Sequence, residues 1–177
     1  EIGAGFGILA SAFLKLNNKI KYLIVDISPA IFFSQYYLSN LGYKVFGYDE
    51  IIKEDAIDVE KIFKSYDVIC LPTWKLAKLK DFNFDLFINI GSFQEIEKKQ
   101  ALNYLKIFKK NLKKYIYLNN AIYGHDKAKK KGSFGVLEPT TMKDIEDYLS
   151  DKFTIKKKYF WDENRKFRSI YKNNLSS

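Results

Sequence analysis

The sequence is short of the residues from which stapled or metal-held folds are built. It has one cysteine, Cys70, and one histidine, His125, among 177 residues, so neither a disulfide framework nor a Cys/His zinc site can be assembled from it. Cys70 sits in the apolar run DVICLP and reads as a small buried hydrophobe. Arginine is equally scarce, two against 28 lysines, which weakens a nucleic-acid reading because base and phosphate readers lean on the bidentate guanidinium. No apolar run approaches the roughly 20 residues needed to cross a bilayer, and no signal peptide is visible.

Other features are abundant. Hydrophobic residues make up 47% of the chain and aromatics 17%, enough for a packed core and against disorder. The formal net charge of +9 comes almost entirely from lysine, in runs at Lys109, Lys110, Lys113 and Lys114, at Lys127 to Lys131, and at Lys156 to Lys158. Lysine, asparagine, isoleucine, phenylalanine and tyrosine are enriched together, the mark of an AT-biased genome more than of a polyanion-binding surface.

Short apolar runs alternate with amphipathic ones. Strands are predicted at KIKYLIVDI (19–27), YKVFGYDEI (43–51), DVICLP (67–72), FDLFINIG (84–91) and KKYIYLNNAI (113–122). Helices are predicted in FGILASAFLKL, in AIFFSQYYLSNL after a Ser28 cap and Pro29, in AIDVEKIFKSY (56–66), in EIEKKQALNYLKIFKKN, acidic at its start, and in TTMKDIEDYLSD behind an N-cap threonine. FTIKKKYFWD and KFRSIYKNN close the chain as strands joined by ENR in a hairpin. Strands separated by helices imply a parallel sheet wound on both faces, a doubly wound α/β fold. The terminal hairpin adds an antiparallel strand.

The chain opens on EIGAGFG, a glycine turn of the kind that joins a buried strand to a helix. Only Glu1 and Ile2 precede Gly3, so most of that strand is missing, and we expect the natural protein to be longer. Gly3, Gly5 and Gly7 are spaced G-x-G-x-G, and Ile8 stands where a dinucleotide fold places its third glycine. Asp26, in IVDIS, follows Gly5 by 21 residues. A carboxylate there accepts hydrogen bonds from both hydroxyls of a ribose. Its spacing alone suits NAD as well.

The E-x-G-x-G-x-G pattern resembles the first motif of the class I S-adenosylmethionine-dependent methyltransferases. Over about residues 1–122, the runs VDISPAIFFSQYYLS, LPTWKLAKL and FDLFINIGSFQEI resemble the sugar O-methyltransferases of bacterial surface-glycan gene clusters. That resemblance implies a Rossmann-like sheet of order 3-2-1-4-5-7-6, its first strand truncated here, and one S-adenosylmethionine-binding domain over 1–177, incomplete at its N-terminus. It implies a cytoplasmic enzyme that methylates a sugar hydroxyl of a surface glycan or its precursor.

On that resemblance the cofactor contacts are Glu1, Gly3, Ala4 and Gly5 at the methionine end and Asp26 at the ribose. Leu71, Pro72 and Thr73 lie beside the adenine, and Asn89, Ile90, Gly91 and Ser92 pass beneath the cofactor. Trp74 is either a stacking partner for adenine or a packing residue. His125, in AIYGHD, and Glu95, in SFQEI, compete for the role of general base. No carboxylate cluster demands a metal. A small molecule or glycan is the expected acceptor. The alternatives are a nucleic-acid methyltransferase, another small-molecule methyltransferase, or a domain that keeps the fold without turnover. IGSF stands where amino-methylating DNA enzymes carry Asn/Asp-Pro-Pro-Tyr/Phe, which counts against nucleic acid.

Overall fold

The computed structural model describes residues 1–161 and 166–175. Two compact units divide the chain, Glu1–Phe82 and Asn83–Ser177. ENR, read as the hairpin connection, lies outside the described residues.

The first unit is built on three parallel strands. β1 (Tyr22–Asp26) and β2 (Val45–Phe46) flank β3 (Val68–Pro72). The register pairs Val25 with Leu71 and Asp26 with Pro72, so both long strands end at the same level. Ile2 forms a parallel bridge to Val25 on the other side of β1. β1 and β3 are buried along nearly their whole length, as expected of strands covered on both faces. Cys70 is part of this core, and burial pushes its thiol up to about 12. α1 (Ile8–Leu16) buries Ala10 and Leu14, and α2 (Ala30–Asn40) buries Ile31 and Leu38.

Local chemistry corrects three expectations here. Ser28 does not cap α2: Pro29 occupies the cap position, and no side chain caps the helix. YKVFGYDEI is a strand only over Val45–Phe46, because the Glu50 carboxylate accepts the Gly47 N–H at 3.0 Å and starts the one-turn helix α3 (Tyr48–Ile51). The helix expected over 56–66 shrinks to α4 (Val59–Ile62). Its first residues are drawn into a bridge instead, where Ile57 donates to the Lys78 carbonyl and accepts from Lys80.

The second unit has the strand order β4-β5-β7-β6. β4 (Phe84–Ile90) and β5 (Leu112–Ala121) are parallel, whereas β7 (Lys166–Asn173) runs antiparallel to both β5 and β6 (Phe153–Trp161). This is the 4-5-7-6 half of the expected order. α5 (Lys98–Lys109) brings Phe108 against Phe87 of β4, with ring centroids 5.8 Å apart. An aromatic buried this way contributes about 2 kcal/mol. Its acidic residues precede the helix rather than fill its first turn. α6 (Met142–Leu149) starts as the sequence suggested. Thr141 accepts the Asp144 N–H, and Asp144 accepts the Thr141 N–H, a reciprocal cap. Among the described residues no helix is long and apolar enough to cross a membrane.

Candidate functional site

Two turns lie at carboxyl ends of parallel strands, where open α/β sheets bind ligands. One belongs to each unit.

In the first unit, Glu1 to Gly3 runs beside β1. The Val25 N–H donates to the Glu1 carbonyl at 2.8 Å, and the Gly3 N–H to the Val25 carbonyl at 2.9 Å. The chain then leaves the strand through three glycines with φ of 74°, 57° and 76°, a region that side-chain-bearing residues enter only at a cost. Gly7 has a second reason to be glycine. A Cβ there would stand 3.1 Å from Leu38 Cδ1 and 3.4 Å from Ile24 Cδ1, so it permits the close helix–strand approach that position 8 provides in dinucleotide turns.

Asp26 is the hub of this turn. It is 8% exposed, its Oδ2 accepts the Gly5 N–H at 2.9 Å, and its Oδ1 accepts the Ile27 N–H at 2.7 Å. The Ser34 hydroxyl donates to the Gly5 carbonyl. The turn is therefore held by a carboxylate and a hydroxyl. Each Asp26 oxygen keeps a further accepting lone pair. A Cβ added at Gly5 would meet nothing within 4 Å, so the backbone there is open to close approach. These features fit the ribose and methionine portions of a nucleoside cofactor.

Glu1 is otherwise engaged, as its Oε2 accepts the Tyr22 hydroxyl at 2.8 Å. Burial raises the Glu1 carboxyl, and burial with the nearby carboxylate raises the Tyr22 phenol. Leu71 and Pro72 are buried at the end of β3, with Thr73 half-buried beyond them. Trp74 is outside the core, 55% exposed, with the Lys75 ammonium 5.4 Å from its ring centroid. Lys75 itself is buried and donates to the Glu54 carbonyl.

In the second unit the turn after β4 is held by neutral amides. Asn89 is fully buried. Its Oδ1 accepts from Asn120 Nδ2 at 2.9 Å and from the Phe93 N–H at 3.3 Å, while its Nδ2 donates to the Ser92 hydroxyl. Gly91 has φ of 78° and donates to the Asn119 carbonyl. Ile90 is exposed. A 3-10 turn, Phe93–Glu95, follows and leaves Glu95 exposed.

Gln94 ties this segment to the end of β5. Its Oε1 accepts the Ala121 N–H at 2.6 Å, and its carbonyl accepts the His125 N–H at 3.0 Å. His125 and Glu95 thus belong to one corner of the same unit. The Asp126 N–H donates to His125 Nδ1 at 2.7 Å, which leaves the proton of the neutral ring on Nε2. Phe134 packs edge-on against the imidazole at 5.1 Å.

Sequence reasoning missed Ser34, Gln94 and Asn120. For Asn120 there was a signal: the pair Asn119-Asn120 interrupts the apolar strand YIYLNNAI at its carboxyl end. Ser34 and Gln94 gave none.

No family model matches the chain, and no curated protein matches it. Solved structures do. It superposes on the mitomycin 7-O-methyltransferase MmcR with a TM-score of 0.60 at 10% identity, over 97% of this chain and 47% of that one. It superposes on the magnesium protoporphyrin IX methyltransferase of Synechocystis PCC 6803, solved with bound S-adenosylmethionine, with a TM-score of 0.56 at 14% identity, over 97% of this chain and 66% of that one. The fold is a methyltransferase fold. The chain spans about half the length of MmcR. It also superposes on a pericyclic reaction enzyme, with a TM-score of 0.55 at 10% identity over 97% of this chain and 41% of that one. Fold alone therefore does not name a reaction.

Proposed function

We propose that this chain is an S-adenosylmethionine-dependent O-methyltransferase domain acting on a sugar hydroxyl of a bacterial surface glycan or its precursor. The observation that carries the cofactor reading is the bond from the Gly5 N–H to Asp26, which joins the glycine turn to the strand-end acid. Gly3, Ala4 and Gly5 would hold the methionine end, and Asp26 the ribose hydroxyls. Leu71, Pro72 and Thr73 would border the adenine, with Trp74 as an exposed stacking face. The sugar acceptor rests on the resemblance of VDISPAIFFSQYYLS, LPTWKLAKL and FDLFINIGSFQEI to that enzyme group.

When bound, the cofactor supplies a methyl carbon made electrophilic by its sulfonium. The chain must align the acceptor oxygen with that carbon and take up the hydroxyl proton. Glu95, exposed and acceptor-only when ionised, is the proton acceptor in this scheme. His125, with its proton on Nε2, donates to a neighbouring acceptor oxygen and orients it.

Calorimetric titration of the full-length protein with S-adenosylhomocysteine tests the cofactor reading. Micromolar binding is expected, weakened about tenfold or more in Asp26→Asn, with thermal melting as a check that the variant is folded. Binding of NADH in place of the thioether would refute the proposal.

A further inference from the structure

The loop between β5 and α6 carries a charge pattern that the cofactor site does not use. Lys127, Lys129, Lys130 and Lys131 are all exposed, against one acid, Asp126, at their base. Among the described residues none of the four ammonium groups makes an ion pair. Elsewhere Lys21, Lys80, Lys98, Lys109, Lys114 and Lys158 each pair with a carboxylate. What sets these four apart is their place on one built loop, with only Ala128 between them.

That loop is built. Val136 donates to the Asp126 carbonyl and accepts from Ala128, both at 2.9 Å. Ala128 and Val136 are buried beneath it. The Ser133 hydroxyl donates to the Lys130 carbonyl at 2.7 Å and accepts the Lys130 N–H at 3.2 Å. Gly135 is required by contact, since a Cβ there would stand 2.3 Å from the Asp126 carbonyl oxygen. At the far end the Glu97 carboxylate accepts the N–H groups of Leu137 and Glu138. The lysines are thus presented on a scaffold fixed at both ends. Phe134, 79% exposed, and Tyr123, 64% exposed, stand towards the two ends of the same segment. His125 joins the same loop to Gln94, next to Glu95.

We infer that the loop 123–136 recognises the phosphate of a phosphorylated acceptor, with the lysines on the anion and the exposed aromatic faces against the attached ring. This deepens the proposed methyl transfer and rests on it. A phosphate-bearing acceptor is either a soluble nucleoside-diphosphate sugar or a sugar on a lipid-linked pyrophosphate. The shared chemistry is a pyrophosphate ester. Several ammonium groups around one multivalent anion act together where single surface pairs are weak.

The test uses the full-length protein at physiological ionic strength, with uridine diphosphate, inorganic pyrophosphate, phosphatidylglycerol vesicles, neutral vesicles and duplex DNA as probes. The triple variant K129Q/K130Q/K131Q is compared with K15Q/K19Q/K53Q, which removes the same charge from exposed positions of the first unit. We expect uridine diphosphate and pyrophosphate to bind wild type and the control alike, and the loop variant about tenfold more weakly. S-adenosylhomocysteine should bind all three equally. Preference for uridine diphosphate over pyrophosphate points to the soluble acceptor. Pyrophosphate bound as well as the nucleotide points to the lipid-linked one. Equal loss in both variants, no anion binding by wild type, or binding confined to vesicles or DNA overturns the inference. Loss of thioether binding in wild type with loop-dependent pyrophosphate binding intact would instead remove the methyltransferase reading.

Discussion

The two strand-end turns solve one problem with different chemistry. Each must hold a glycine at positive φ where a parallel strand gives way to the next segment. In the first unit a charged group does it, Asp26 accepting from Gly5 and Ile27. In the second a neutral amide does it, Asn89 accepting from Asn120 and Phe93. A carboxylate with spare lone pairs remains useful to a ligand. An asparagine sealed under 0% exposure is committed to the architecture. The contrast is between a charged group 8% exposed and a neutral one with no exposure.

Breaking the second turn should cost most. Asn89→Leu leaves the Asn120 amide and the Phe93 N–H buried without their acceptor, and about 3 kcal/mol of unfolding free energy should be lost in urea denaturation. A loss below about 1 kcal/mol would show that the clamp is not structural. Gly7→Ala comes next, at about 2 kcal/mol, because it combines positive φ with the approach to Leu38. Gly91→Ala, at a similar φ but with nothing within 4 Å of its Cβ, should cost about half as much. Equal losses would mean that crowding at Gly7 is relieved by movement of Leu38.

The smallest effect lies at the start of α6. Burial opposes ionisation of Asp144, but the Thr141 hydroxyl and N–H and the Lys98 ammonium together hold its carboxyl below the ordinary value of 3.8. A depressed value in the folded state means that the contribution is present above the unfolded value and is lost as pH falls through the folded one. Thr141→Ala should cost about 1 kcal/mol at neutral pH and flatten the acid limb of the stability profile below pH 3.8. An unchanged acid limb would place the titration elsewhere.

The place of Asp26 beside the glycine turn was readable because it follows from spacing along the chain: a glycine turn, a helix and a strand bring the acid back to the turn. The Thr141 cap was readable because capping is local. The Asn89–Asn120 contact was not, since it depends on the register of β4 against β5, residues 31 apart. Gly7 was visible as the third glycine of the turn, but its packing against Leu38 and Ile24 was not legible, because the dinucleotide pattern places the packing glycine one position later. The helix over 56–66 was expected too long because apolar periodicity is blind to Ile57 being claimed by Lys78 and Lys80.

The antiparallel β7 has a kinetic consequence. It lies between β5 and β6, so the strand synthesised last among those described is interior to its sheet. During translation β5 waits with one edge open until β7 emerges, and β6 has no direct neighbour in the sheet before then. The second unit cannot close progressively from its N-terminal side. It closes once β7 pairs with β5, and until then β5 presents an unpaired backbone edge of the kind that invites pairing with another chain.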